Sequence, residues 1–458
     1  MTKILVLRLQ VPIGGSINNM ACFYDSLNEE LIKNGNEVLW LNTYQEALIR
    51  YDDTKSFNSW AEHWRDKIKN FNPDIIFTFN NRIFEEIINI TNCPIVLFEA
   101  DLAEMFVRTE LIKKYKERYY MATFFPKFIP LYKEMGFDDD RILRLHPATS
   151  IKRENKEKVC NIAFIGSAFS QMDKEIKEII EEYPNQAFYK MMVEYWNSEN
   201  YDYKALCEKY MPGNKIKTFD HFRIFDSRCY ILQSLLDLNL KLYGVGWDKI
   251  ISPQLLHLSS AFDSTPVYSL KHNQDVYNSS KINISISHPQ CRGYSFPWRI
   301  YDIMASDGAL VSTYSSSLVD YTKGHVDIPM YKSPFDAREL CKKLLKEENL
   351  RQDLIEASNK FIEKYGRWTD NLEQIQNASK IKIIDNKDCI GSSTHIDYDV
   401  IKFIGRTNRA MCKSVIYGLL YSYSNLPIIY NLLKTTGRRK IYKSMMKYNN
   451  ELKEECNG

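Results

Sequence analysis

The stretch CRGYSFPWRIYDIMASDGALVSTY, residues 291–314, joins a glycine turn to an apolar helix and an apolar strand. Pro297 suits the first turn of a helix, where its missing N–H would have no partner anyway. The helix is expected to close at Ser306-Asp307-Gly308, and strand residues follow at once. KINISIS, residues 281–287, supplies the strand before it. The stretch therefore predicts one strand–helix–strand repeat of a parallel sheet.

The same alternation runs through most of the chain. Apolar strands and helices alternate over residues 1–150 and again over residues 158–376, with a mainly helical insertion at about 171–220. The fold class predicted is α/β, with two Rossmann-like doubly wound domains facing across a cleft and ligands at the carboxyl ends of the strands. Residues 149–157 are polar and form a plausible linker, and residues 377–458 are expected to be a basic helical extension.

Composition narrows the class of protein. The 458 residues exceed one ordinary domain, and 44% hydrophobic residues are enough to fill the cores. The 10 cysteines are scattered without a CxxC pair or metal-ligand spacing, which favours a reducing compartment and predicts no metal site. The apolar run at the N-terminus is too short for a signal sequence. These features predict a cytoplasmic protein.

Basic charge is concentrated near the C-terminus. Residues 402–450 contain ten Lys or Arg and no acidic residue, which leaves 51 basic against 58 acidic residues elsewhere. Residues 414–433 are uncharged, but Pro427 and many polar residues disfavour a membrane span. We expect peripheral contact with the inner face of an anionic membrane, and packing onto the protein is the alternative. The sequence has no nucleic-acid-binding motif, so no nucleic acid is expected as a partner.

The start of the quoted helix is a candidate phosphate site, because helix N-termini carry unsatisfied N–H groups and partial positive charge. Gly293 would allow close approach of the backbone, and Ser295 would cap the helix or donate to a phosphate. Arg299 could grip a diphosphate, and Asp302, one turn later, could accept from ribose hydroxyls. The alternative is an ordinary ion pair between Arg299 and Asp302.

A resemblance strengthens the phosphate interpretation. VYNSSKINISISHPQ (276–290) followed by residues 293–314 resembles the signature of CgeB-like, spore-maturation-protein-type glycosyltransferases of the GT-B fold. The resemblance covers about 158–376 and implies transfer of a sugar from a nucleotide sugar. Asp302 stands where the family has Glu, and Tyr294 stands where many retaining enzymes have a first Glu. The matching positions are Tyr277, Asn278, Ser280, Lys281, Ile282, Asn283, Arg299 and Gly308.

Further donor-binding residues are expected at strand ends and glycine turns. The resemblance places a glycine loop with Gly15 beneath the donor, and the turns after strands could receive phosphate or the nucleotide base. The alternatives are a simple turn at Gly166 and Ser167, a core Tyr with a packed Trp at residues 243–247, and a structural histidine at His288. The complete predicted donor set is Gly15, Gly166, Ser167, Tyr243, Gly244, Gly246, His288, Gly293, Tyr294, Ser295, Arg299 and Asp302.

Glycosyl transfer to a hydroxyl benefits from a general base. Asp101 is the favoured candidate and Glu99 the second, both at the end of PIVLFEAD; capping of the next helix is the alternative role. The expected enzyme is a glycosyltransferase of surface glycan biosynthesis that acts on a saccharide or lipid-linked acceptor and requires no cofactor or metal. The rival hypotheses are a nucleotide-sugar epimerase or hydrolase, and a non-catalytic coat or scaffold protein of the same fold.

Overall fold

The protein is α/β throughout, as the sequence predicts. A computed structural model describes residues 1–10, 18–44, 54–100, 103, 106–168, 187–197, 203–213, 228–249, 256–288, 295–384 and 389–396. The strands are β1 Lys3–Arg8, β2 Glu37–Asn42, β3 Ile75–Phe79, β4 Ile95–Phe98, β5 Tyr119–Thr123, β6 Ile142–Arg144, β7 Cys160–Ile165, β8 Leu240–Tyr243, β9 Phe262–Asp263, β10 Ser280–Ser285, β11 Ala309–Thr313, β12 Met330–Tyr331 and β13 Ser392–His395.

Helices follow most strands, which is the arrangement that parallel pairing requires. One further helical segment covers residues 228–233. The helices are α1 Cys22–Lys33, α2 Thr54–Phe71, α3 Glu85–Ile90, α4 Thr109–Lys114, α5 Ile129–Glu134, α6 Ala187–Asn197, α7 Tyr203–Tyr210, α8 Leu270–Asn278, α9 Arg299–Met304, α10 Ser316–Thr322, α11 Pro334–Lys346, α12 Glu348–Tyr365 and α13 Trp368–Ser379.

The chain divides into two compact units. One contains the described residues of 2–18, 37–119 and 392–396, and the other contains Met1 with the described residues of 19–36 and 120–391. In the first unit the strand order is β13-β2-β1-β3-β4. Ile4, Leu5, Val6 and Leu7 of β1 are all completely buried, the continuous apolar pattern of a parallel strand covered on both faces.

The strand β13 differs from the helical extension expected for residues 377–458. Ser392 pairs with Glu37 and His395 with Trp40, both in parallel register with β2. The edge of β2 supplies hydrogen-bonding groups that these polar residues use despite their weak apolar pattern. Residues 397–458, including the basic stretch 402–450, lie outside the described part. Within the described ranges, no helix combines the length and hydrophobicity of a bilayer-crossing segment.

The second unit contains a complete six-stranded sheet in the order β12-β11-β10-β7-β8-β9. Its neighbouring strands pair in parallel, so their carboxyl ends meet at one edge. The same unit contains a parallel pair of β5 and β6. Strands β10 and β7 lie at the centre of the sheet, which places the ends of both in the middle of that edge.

The predicted linker, residues 149–157, is fastened to α8 in this unit. The Lys152 N–H donates to the Gln274 side chain at 2.8 Å, and the Glu154 N–H donates to Asn278 Oδ1 at 3.0 Å. Asn278 Nδ2 returns a hydrogen bond to the Lys152 carbonyl at 3.0 Å. The segment is therefore an extended strap along a helix rather than a free connection.

Candidate functional site

Two glycine turns at the carboxyl edge of the six-stranded sheet interlock. The Gly166 N–H, just after β7, donates to the Tyr243 carbonyl at 2.9 Å. Gly244, just after β8, has φ +112°, and an added Cβ there would lie 2.5 Å from the Gly166 carbonyl oxygen. Trp247 Nε1 donates to that same oxygen at 2.9 Å. The two turns, which the sequence suggested separately, therefore form one structure in which Gly244 fits and a larger residue does not.

The aromatic residues of the second turn are part of the core. Tyr243 is 3% exposed and Trp247 is completely buried. Tyr243 packs with Cys160, Ala163 and Val276. These two side chains therefore match the alternative of a core Tyr with a packed Trp, and the backbone of Gly244 and Gly246 stays the predicted contact with the nucleotide base. Between the two glycines, Val245 is 72% exposed.

Two arginines meet at the turn that follows β7. Arg299 Nη1 donates to the Ile165 carbonyl at 2.9 Å, and Arg228 Nη1 donates to the Ser167 carbonyl. Their guanidinium carbons lie 5.8 Å and 5.3 Å from the centre of the Phe164 ring. Burial and the neighbouring Arg299 charge lower the pKa of Arg228 to about 9. This pair concentrates positive charge beside Gly166 and Ser167, which suits an anionic ligand.

Sequence reasoning missed Arg228. It belongs to SRCYILQSLLDLN, and the signal available was an arginine at the start of a strongly apolar helical run. Arg228 is 5% exposed, and arginine is rarely buried so deeply unless its charge or its N–H groups have partners. Its position beside Arg299 depends on contacts across the insertion, which periodicity does not reveal.

Helix α9, which lies within residues 291–314, is shorter than the sequence predicted. It starts at Arg299 and ends at Met304, and its N-cap Trp298 makes no side-chain capping bond. Ser295 is completely buried and is not the N-cap, so the predicted capping role is wrong. A six-residue helix has a weak macrodipole, so the guanidinium groups are the main positive charge at this edge.

Asp302 is held by protein groups. Thr149 Oγ1 donates to its Oδ1 at 2.6 Å, and Cys22 Sγ lies 3.7 Å from its Oδ2. Burial raises the pKa of Asp302 to about 6, although these hydrogen bonds and the charge of Arg299 lower it. Since both carboxylate oxygens contact protein, the predicted ribose-binding role of Asp302 conflicts with the structure. The alternative ion pair with Arg299 is not formed either, because Arg299 donates to a backbone carbonyl.

Several residues that carry the family resemblance have structural tasks. Asn283 Nδ2 donates to the Tyr277 carbonyl at 3.0 Å, and the Asp307 N–H donates to Asn278 Oδ1 at 2.8 Å. An added Cβ on Gly308 would lie 2.1 Å from Asn283 Nδ2. The motif therefore holds α8, β10 and the start of β11 together.

The remaining predicted residues divide into described and undescribed groups. His288 lies just beyond β10 and is half-buried, at the edge where β7 ends. Glu99 lies directly after β4 in the other unit and is 1% exposed, and its role as a base stays a prediction. The described residues contain no group of three or more His, Cys, Asp or Glu suited to a metal. Gly15, Asp101, Gly293 and Tyr294 lie outside the described residues.

Comparison with known protein families indicates which class of enzyme residues 223–377 resemble. Residues 223–377 match a family model described as "Glycosyl transferase-like", about a third of the chain. This segment is similar to a glycosyltransferase-like domain, and the predicted class of enzyme, a glycosyl-transferring transferase, is confirmed at that level. No curated protein matches the sequence.

Solved structures similar to this chain include several glycosyltransferases. HepE from Anabaena, crystallised with UDP and glucose, shows 9% identity and a TM-score of 0.47, covering 83% of this chain and 100% of its own. The lipopolysaccharide outer core galactosyltransferase WaaB shows 12% identity and a TM-score of 0.41, with the same coverages of 83% and 100%. AviGT4, a glycosyltransferase of avilamycin A biosynthesis, shows 9% identity and a TM-score of 0.46, covering 83% and 97%.

Proposed function

We propose that the protein transfers a sugar from a nucleotide sugar to a saccharide or lipid-linked acceptor in surface glycan biosynthesis. The observation that carries this proposal is the pair of guanidinium groups, Arg228 and Arg299, at the turn after β7. Phosphoryl oxygens are the common biological anions that guanidinium groups bind in a bidentate manner. The pair lies at the carboxyl edge of a parallel sheet, where ligands of such sheets bind.

The same charges would assist the chemical step. The leaving nucleoside diphosphate gains negative charge as the bond to the sugar breaks, and fixed cations stabilise it at that moment. In this proposal Arg299 and Arg228 supply the cations, and the reaction needs neither metal nor cofactor. Residues 158–376 hold the donor and residues 1–150 hold the acceptor, with Asp101 or Glu99 as the general base.

Donor binding is tested by calorimetry of the full chain with UDP, GDP and CDP. We expect one of the three to bind the wild type and Arg299→Met to weaken that binding at least about tenfold, as for a lost charged hydrogen bond. Arg351→Met is the matched control, since Arg351 Nη1, like Arg299 Nη1, donates to a backbone carbonyl at 2.9 Å, in this case that of Leu344. Equal binding by wild type and Arg299→Met would contradict the proposed phosphate grip.

Product analysis separates transfer from the rival reactions. Incubation of the corresponding nucleotide sugars with and without saccharide acceptors should give a glycosylated product only when an acceptor is present. Release of free sugar at an equal rate without acceptor would indicate a hydrolase, and an altered sugar still joined to the nucleotide would indicate an epimerase. Absence of every nucleotide-dependent change would favour a scaffold protein.

The finer parts of the proposal concern subtype and location. The motif agreement over residues 158–376 supports a CgeB-like subtype, and the basic residues 402–450 support peripheral binding to the inner face of the membrane. Cosedimentation with vesicles of neutral or partly anionic lipid tests the second point. We expect the full chain to bind only the anionic vesicles, with binding lost in high salt. Equal binding to neutral and anionic vesicles would contradict peripheral binding through the basic residues.

A further inference from the structure

Strand β10 carries a row of polar side chains on one face. Asn283, Ser285 and Ser287 alternate with Ile282, Ile284 and Ile286, so the polar residues share a face of the central sheet. Asn283, Ser285 and Ser287 are 1%, 0% and 5% exposed. A strand in the middle of a parallel sheet is normally apolar on both faces. The row therefore calls for an explanation.

Within the described ranges of the chain, the hydroxyls of Ser285 and Ser287 have no hydrogen-bond partner. A buried polar group without a partner costs stability, and such groups in native proteins usually have a water or ligand as partner. Ser280 on the same strand is different, because its Oγ donates to the Val276 carbonyl at 2.7 Å. Asn283 Oδ1 also has no partner among the described residues, although its Nδ2 donates to the Tyr277 carbonyl, so the groups without a partner extend along the row from Asn283 to Ser287.

The register of β10 against β7 places the two hydroxyls level with the arginine pair. Asn283 pairs with Ala163 in parallel, so Ser285, two residues further along, lies level with Ile165. The Ile165 carbonyl accepts the hydrogen bond from Arg299 Nη1. Ser287 lies two residues beyond Ser285, towards the carboxyl edge where the arginine pair is found.

Strand order gives the direction of a bound nucleotide along this edge. The sheet runs β10-β7-β8, with the predicted nucleoside contact at the turn after β8 and the arginines at the turn after β7. Neighbouring strands are separated by about 4.8 Å, so β10 is about 10 Å from β8. A nucleoside over β8 would place its first phosphate near β7 and its second near β10.

We propose that Ser285 and Ser287 donate hydrogen bonds to the distal phosphate of a nucleoside diphosphate, the phosphate that bears the sugar in the donor. This inference rests on the proposed function and adds two binding residues to it. The arginines supply charge, whereas the hydroxyls discriminate between a diphosphate and a monophosphate.

The experiment compares Ser285→Ala, Ser287→Ala and the control Ser280→Ala in the full chain. Binding of UDP, GDP and CDP, each against its monophosphate, is measured by calorimetry, and unfolding midpoints are measured without ligand. We expect each of the first two changes to weaken diphosphate binding about tenfold and to leave the monophosphate unchanged. Their midpoints should not fall, because a hydroxyl without a partner is removed. Ser280→Ala should lower the midpoint and leave the preference for diphosphate intact.

The possible failures are distinguishable. Diphosphate affinities that are unchanged in both variants, or an equal loss for diphosphate and monophosphate, overturn the role of the serines and leave the proposed donor intact. Midpoints that fall as far as that of Ser280→Ala, without any change in binding, show structural hydroxyls and also overturn it. A wild type that binds none of the three diphosphates overturns the proposed function and this inference with it.

Discussion

Replacement of Asp302 by asparagine should change how stability depends on pH. Burial raises the pKa of Asp302 to about 6 from an ordinary value of 3.8. The folded protein therefore retains the proton more tightly than the unfolded chain between these two values. The contribution of Asp302 to the free energy of unfolding is greatest at low pH. It falls as the pH rises towards 6, because the carboxyl ionises more readily in the unfolded chain.

The magnitude follows from the two pKa values. The difference between these two pKa values corresponds to about 3 kcal/mol once the carboxyl is ionised in both the folded and the unfolded state. Between pH 5 and pH 7.5 the contribution changes by about 1.4 kcal/mol, since the unfolded carboxyl is already largely ionised at pH 5. The asparagine of the variant does not titrate, so the free energy of unfolding of the wild type should fall by this amount relative to Asp302→Asn.

Urea unfolding of both proteins at pH 5 and pH 7.5 measures this difference, because titrations elsewhere cancel in the comparison. Thr149→Val is a useful third variant, since it removes the 2.6 Å hydrogen bond that favours the charged carboxyl and should enlarge the pH effect. A wild-type-minus-variant difference that is constant from pH 5 to pH 7.5, or that grows with pH in favour of the wild type, would refute the reasoning.

Other predictions concern the glycine turns and a helix cap. Gly244→Ala should destabilise by more than Gly324→Ala in urea unfolding, since both have positive φ but only Gly244 would bring its Cβ within 2.5 Å of backbone; equal losses would contradict this. Ser333→Ala should cost about 1 kcal/mol, because Ser333 and Asp336 form a capping box at α11. Asp336→Asn, which keeps part of that geometry, should lose less, and unchanged melting of Ser333→Ala would show that the cap is dispensable.

Local patterns predicted the strands and glycine turns well. The apolar runs of β1, β7 and β8 and the glycines after β7 and β8 are short-range signals, because a buried parallel strand and a tight turn each restrict the residues at one position. The structure adds why glycine is needed at both positions: the Gly166 backbone occupies the space that a side chain on Gly244 would need, and the Phe164 ring occupies the space that a side chain on Gly166 would need.

Contacts between distant parts of the chain could not be predicted in this way. Asp302 is paired with Thr149 and Cys22, which lie 153 and 280 residues away, so its spacing from Arg299 suggested an exposed ligand that burial rules out. Arg228 reaches the β7 turn across 61 residues. The alternation of Asn283, Ser285 and Ser287 with isoleucines can be seen in the sequence. It is unusual only because both faces of β10 are buried, which the structure alone shows.

The pairing of β13 with β2 has a consequence for synthesis of the chain. Residues 37–42 leave the ribosome long before residues 392–395, and translation proceeds at about 5–20 residues per second. The outer edge of β2 therefore stays unpaired for some tens of seconds until β13 is synthesised, and during that time it can pair with other chains. The first unit is accordingly the last to be completed, although most of its residues are translated first.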